Sequence, residues 1–165
     1  VGELGPAYGG YFINDERCFP VFEKAQELDV PIVIHAGPVQ VTTSRAIYGN
    51  PLLLDDVALK FPELKIVICH LGYHKYEDAA FLIQKHENVF ADISWLDTIS
   101  GLDHMHIPRY LPVVEYPYYN LLHPLLYCLS QTFGDTDKLI WGSDWKGSSA
   151  RRRRGAPSTC PRRRW

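Results

Sequence analysis

The sequence has no apolar run approaching the ~18 residues of a membrane span, so no membrane-spanning helix is expected in it. No signal-peptide pattern opens the chain at Val1. Its four cysteines, Cys18, Cys69, Cys128 and Cys160, form no C-x-x-C pair, so there is no thiolate metal or redox motif to read. Cys69, inside an apolar run, reads as a buried structural thiol, and a reducing cytoplasmic location is the expectation. Acidic residues are missing after Trp145, where Lys146, Arg151 to Arg154 and Arg162 to Arg164 place eight positive charges. Removing those eight from the 17 basic residues leaves nine against 19 acidic ones, so residues 1–145 carry a formal −10 although the whole chain carries −2. Such an acidic body is a poor partner for nucleic acid, whose phosphates need clustered Lys and Arg.

What is present is a core. At 46% hydrophobic residues the chain is too apolar for disorder. Its apolar residues fall into short β-branched runs separated by helical patterns. Three runs end on chemically competent residues: Pro-Ile-Val-Ile-His35, Lys-Ile-Val-Ile-Cys-His70 and Leu-Ile-Trp-Gly-Ser-Asp144. Continuous Val/Ile runs of this kind suit strands buried on both faces.

Gly2-Glu3-Leu4 reads as the tail of a first strand. A helix follows, capped by Asn14 or Asp15 and running to about Leu28 with Val21, Ala25 and Leu28 on one face. A second helix carries Leu53, Val57 and Phe61, and a third carries Tyr76, Ala79, Ala80 and Ile83. A strand covers Val89 to Ser94, and residues 95–120 are irregular, with Gly101, Pro108, Pro112 and Pro117 as breakers. A helix over Leu121 to Phe133, beginning near Pro124, leads to the last strand.

Strictly alternating elements imply parallel strands with right-handed crossovers. The 35 residues from His35 to His70 match one βα unit. Five such strands fall short of the eight strands and ~250 residues of a whole (β/α)8 barrel, so the expected fold is α/β, a partial barrel. Residues 1–145 form this portion, and residues 146–165 read as a disordered or artefactual basic tail. In a parallel barrel the C-terminal strand ends share one rim, so His35, His70 and Asp144 are candidates for one divalent metal site with a base beside it.

Pro31-Ile-Val-Ile-His35-Ala-Gly37, Ile68-Cys-His70-Leu-Gly72, Asn88-Val-Phe-Ala-Asp92-Ile-Ser94 and Trp141-Gly-Ser-Asp144-Trp145, in this order, resemble the amidohydrolase-related family often called amidohydrolase 2. The resemblance implies a metal-dependent TIM-barrel hydrolase or non-oxidative decarboxylase. It implies His35 as a strand-five metal ligand, His70 as a histidine that binds metal or activates water or substrate, and Asp144 as metal ligand and general base. Zn2+ is the implied cofactor, with Mn2+ the alternative. Zn2+ lowers the pKa of bound water from ~15.7 to ~7, and a carboxylate or imidazole then takes the proton.

The leading reading is hydrolysis of a small-molecule amide or lactone. The alternatives are decarboxylation of an aromatic or unsaturated acid, and a fragment with no activity of its own. A homo-oligomer is left open, and no nucleic-acid or membrane partner is expected. The family's strand-one His-x-His or Glu-x-His pair is not found at a barrel start, and His104-Met-His106 falls in the irregular stretch instead. Glu3 faces the same rim as a second-layer or substrate-contact candidate. Asp92, within its strand, reads as a barrel-interior polar contact or a structural residue and is left out of the site. His74 reads as exposed, with a substrate contact the alternative, His86 and His123 as solvent-facing, and Tyr116, Tyr118 and Tyr119 as packing or pocket-mouth residues.

Overall fold

A computed structural model describes residues 1–39, 41–94, 119–132 and 135–142, with backbone alone for 119–123. Asp144, His104, His106, Tyr116, Tyr118, the side chains of Tyr119 and His123, and residues 146–165 lie outside the described residues.

The chain opens with a short helix α1 (Pro6–Gly9) and a 3-10 turn (Glu16–Cys18) that leads into α2 (Phe19–Glu27). Asp15 accepts from the backbone N–H of Arg17 at 2.9 Å, satisfying a donor that the turn itself leaves open. Then follow β1 (Ile32–Ile34), α3 (Leu53–Lys60), β2 (Ile66–Ile68), α4 (Tyr76–Lys85), β3 (Val89–Asp92), α5 (Tyr119–Gln131) and β4 (Leu139–Ile140). The strands lie in the order β1-β2-β3-β4, every pair parallel. Leu4 adds a single parallel bridge to Ile34, so the first expected strand is one residue of pairing at the sheet edge.

The two faces of the sheet differ. Ile32 and Ile34, Ile66 and Ile68, and Val89 and Ala91 alternate along their strands and are all buried. They pack with Phe22 and Ala25 of α2, Leu54, Val57 and Ala58 of α3, and Ala79, Ala80, Leu82 and Ile83 of α4. This is the core, covered by helices as parallel strands require. The alternation puts Val33, His35, Phe90 and Asp92 on the opposite face. The register pairs Ile34 with Ile68 and Ile68 with Ala91, so His35 and Asp92 each stand one residue past a common row.

Three expectations need correction. The buried face of α2 is Phe22 and Ala25, while Val21 and Leu28 are exposed. The 3-10 turn delays the helix to Phe19 and Leu28 is already its C-cap, which shifts the phase. His86 is buried at 8% exposure, because it caps α4 and turns inward to Asp55 on α3. The last helix begins at Tyr119, and Pro124 lies inside it. His74 is exposed, as its loop position suggests.

Candidate metal centre

Three elements bring the site together. His35 is the first residue after β1, on the face away from the helices. Its backbone N–H bonds the carbonyl of Leu4 at 2.8 Å, which fastens the edge segment carrying Glu3. Glu3 Oε1 then stands 2.7 Å from His35 Nδ1.

His70 arrives differently. β2 ends at Ile68, and the chain coils into a 3-10 turn (Cys69–Gly72) in which His70 and Leu71 both adopt left-handed backbone angles, φ 57° and 49°. Left-handed conformations in non-glycine residues cost about 1–3 kcal/mol each and persist where surrounding structure imposes them. Here Asp92 Oδ1 accepts the His70 N–H at 3.0 Å, and Leu71 is fully buried. The turn aims the imidazole back across the sheet. Its Nε2 lies 3.9 Å from Glu3 Oε1, and its ring centroid 5.1 Å from that of His35, edge-on at 72°.

Glu3, His35 and His70 each offer one donor atom, and the three atoms lie within 4.8 Å of one another. Two ring nitrogens and a carboxylate oxygen suit a divalent ion of the Zn2+ or Mn2+ kind. Bonds of 2.0–2.2 Å in tetrahedral geometry put ligand atoms about 3.3 Å apart. The 2.7 and 3.9 Å separations of Glu3 Oε1 from the two ring nitrogens straddle that spacing, and all three donor atoms lie within 4.8 Å, so the donor set fits an ion once the side chains draw together around it. Both imidazoles are shielded, His35 with 14% and His70 with 7% of the side chain exposed, while Glu3 is open at 36%.

The far side of His70 is also built. Its Nδ1 lies 2.9 Å from Ser94 Oγ and 3.1 Å from the Ser94 carbonyl. Ser94 Oγ–H donates to Asp92 Oδ1 at 2.5 Å, and the Ser94 N–H donates to the same oxygen at 3.0 Å. Tyr8 places its ring 5.0 Å from that of His35. The loops after β1 and β2 touch: a Cβ on Gly37 would meet the Tyr73 carbonyl at 2.0 Å. Burial pushes the Tyr73 hydroxyl above its ordinary pKa.

The structure thus unites His35 and His70, with Asp144 outside the described residues. Sequence reasoning gave Glu3 only a peripheral part, left Asp92 as a polar contact or structural residue outside the site, and did not single out Ser94. Their signal was register: Asp92 stands in the same row and on the same face as His35.

A sequence profile described as amidohydrolase matches residues 2–157. The dihydroorotase of Helicobacter pylori strain HPAG1 is 32% identical over 80 residues, 48% of this chain and 22% of that protein. Its counterpart in strain ATCC 700392 / 26695 is 33% identical over 79 residues, with the same coverage. Among solved structures, dihydroorotase from Campylobacter jejuni superposes with a TM-score of 0.55 and 21% identity, over 86% of this chain and 43% of that one. An uncharacterized TIM-barrel protein of Bordetella bronchiseptica does so with a TM-score of 0.55 and 16% identity, over 80% of this chain and 39% of the other. This chain therefore spans less than half of the proteins it matches, and its four parallel strands are part of a TIM barrel. With the profile running from residue 2 to residue 157, the chain belongs to the amidohydrolase family.

Proposed function

We propose that Glu3, His35 and His70 hold a divalent metal, Zn2+ or Mn2+, in a barrel that hydrolyses a C–N or C–O bond in a small-molecule amide or lactone. The convergence of the three donor atoms within 4.8 Å carries this reading. The curated relatives are dihydroorotases, which makes dihydroorotate the first substrate to assay. A bound ion would supply Lewis-acid polarisation of a carbonyl and acidification of water.

The chain's own groups do the rest. Glu3 supplies negative charge at the open side of the cluster, where a substrate enters. The shielded His35 and His70 fix the donor geometry and limit competing water. Asp144, two residues past the last described residue, Gly142, is the proposed proton acceptor. His70 shares the catalytic assignment, as the imidazole whose Nε2 is turned toward Glu3. Residues 1–145 are proposed as the folded unit and 146–165 as a tail outside it.

Elemental analysis tests the metal. The native chain is expected to carry about one ion, and Glu3→Gln, His35→Ala and His70→Ala to lose affinity by more than the ~10–100-fold typical of losing an outer partner. Retention of stoichiometric metal by all three variants would overturn the site. Release of carbon dioxide from a carboxylated aromatic, without turnover of amides or lactones, would replace hydrolysis with decarboxylation, which can use the same donors.

A further inference from the structure

The polar groups behind His70 determine which of its ring nitrogens carries the proton. A neutral imidazole has one N–H donor and one acceptor nitrogen. Nδ1 faces two atoms within hydrogen-bond distance, the Ser94 carbonyl at 3.1 Å and Ser94 Oγ at 2.9 Å. The carbonyl only accepts. The hydroxyl spends its single proton on Asp92 Oδ1, leaving lone pairs toward the ring. Both of these neighbours of Nδ1 are therefore acceptors, which makes Nδ1 the donor toward Ser94.

Asp92 makes this arrangement rigid. The same oxygen, Oδ1, accepts from the Ser94 hydroxyl, the Ser94 N–H and the His70 N–H. One carboxylate thus sets the hydroxyl's direction, the strand end that presents it and the left-handed turn that presents His70. The assembly is nearly dry, with Ser94 5% exposed and the Asp92 side chain 14%. On the other side of the ring, Nε2 confronts Glu3 Oε1 at 3.9 Å, beyond hydrogen-bond range. With the proton on Nδ1, the Nε2 lone pair is on the side of the ring turned toward Glu3.

We propose that Asp92 and Ser94 are positioning residues that hold His70 as the Nδ1–H tautomer and keep its Nε2 lone pair directed at the Glu3–His35 cluster. The use of that lone pair rests on the metal reading above; the tautomer does not. Partners behind metal-binding histidines act in this way and affect affinity by ~10–100-fold.

The test uses metal-free protein labelled with 15N-histidine, with the His70 signals assigned by His70→Gln and read at mildly alkaline pH by long-range 1H–15N correlation. His70 is expected as a single Nδ1–H tautomer. Ser94→Ala, which keeps the carbonyl but removes Oγ, is expected to admit the Nε2–H form and weaken Zn2+ binding about tenfold. Ser94→Thr, which keeps a hydroxyl, should restore both. Asp92→Asn, close in shape, should reproduce the Ser94→Ala loss without unfolding, as circular dichroism would verify. An Nε2–H tautomer in the native protein, or Ser94→Ala and Asp92→Asn that match it in tautomer and Zn2+ affinity, would overturn the inference. A native Nδ1–H tautomer that Ser94→Ala disturbs, with 15N signals indifferent to Zn2+, would uphold the tautomer lock and sink the metal reading alone.

Discussion

Gly37 stands two residues beyond His35 with φ +130°, a conformation that side chains rarely adopt. It donates to the Gly49 carbonyl at 2.6 Å, and a Cβ there would lie 2.0 Å from the Tyr73 carbonyl. The constraint is backbone against backbone, which no rotamer change can relieve. Gly37→Ala is therefore expected to destabilise the protein by ~2 kcal/mol or more and to displace the loop bearing Tyr73, measured by urea denaturation. At this scale the sequence was informative where chemistry and position coincided. His35 follows an unbroken apolar run, and its placement needed only strand alternation. His70 was harder, because a histidine after Ile-Val-Ile-Cys reads as a strand end. Its left-handed turn is imposed by Asp92, a residue 22 positions away that local pattern cannot supply. Glu3 was undervalued for the same reason: its contact with His35 spans 32 positions and depends on a single-bridge pairing at the sheet edge.

Between elements, α3 and α4 are joined by one carboxylate. Asp55 accepts from Lys85 Nζ at 2.6 and 2.7 Å and lies 2.6 Å from Nε2 of the buried His86. The hydrogen bonds from Lys85 and then His86 hold the Asp55 carboxyl below its ordinary pKa. A carboxyl depressed in the folded state stabilises above its unfolded value, ~3.9, and that contribution disappears as pH falls through the lower folded value. Acidification below about pH 4 should thus loosen the α3–α4 contact. Asp55→Asn should cost about 1 kcal/mol at neutral pH, given that Lys85 is partly exposed, and should flatten the acid limb. Chemical denaturation of both proteins across that range checks the sign; a steeper acid limb in the variant would refute it. The order of elements was legible, since apolar runs and helical spacings alternate without ambiguity. Helix phase was not. The 3-10 turn before α2 moved the buried stripe to Phe22 and Ala25, and the His86 contact with Asp55 spans 31 positions. Pro124 suggested a helix start because proline lacks the N–H donor that later helical positions use, yet α5 carries it inside.

Across the molecule, the candidate metal centre includes the sheet edge that is paired through a single bridge. The edge segment is attached to β1 through one bridge and backbone bonds that include Leu4 N–H to Val33 and His35 N–H to Leu4, both 2.8 Å. Glu3 sits on that segment, His35 follows β1, and His70 follows β2. An ion shared by the three would therefore clamp the edge to its neighbours from the rim, adding a constraint that the unfolded chain lacks. Ligands that bind only the folded state stabilise it by RT ln(1 + [L]/Kd), about 2.7 kcal/mol at a hundredfold excess over Kd. For a chain of this size that is a rise in Tm of roughly 5–10 °C. Zn2+ addition should produce such a rise, chelation should reverse it, and His35→Ala or Glu3→Gln should abolish it. The stabilisation should also be local, with slowed hydrogen exchange at the Leu4 and His35 amides and a smaller change at the Ala91 amide of β3, which bonds the Lys138 carbonyl on the far side of the sheet. Uniform protection of all strands would mean that the ion binds elsewhere, and a metal-induced Tm rise persisting in His35→Ala would remove this histidine from the site.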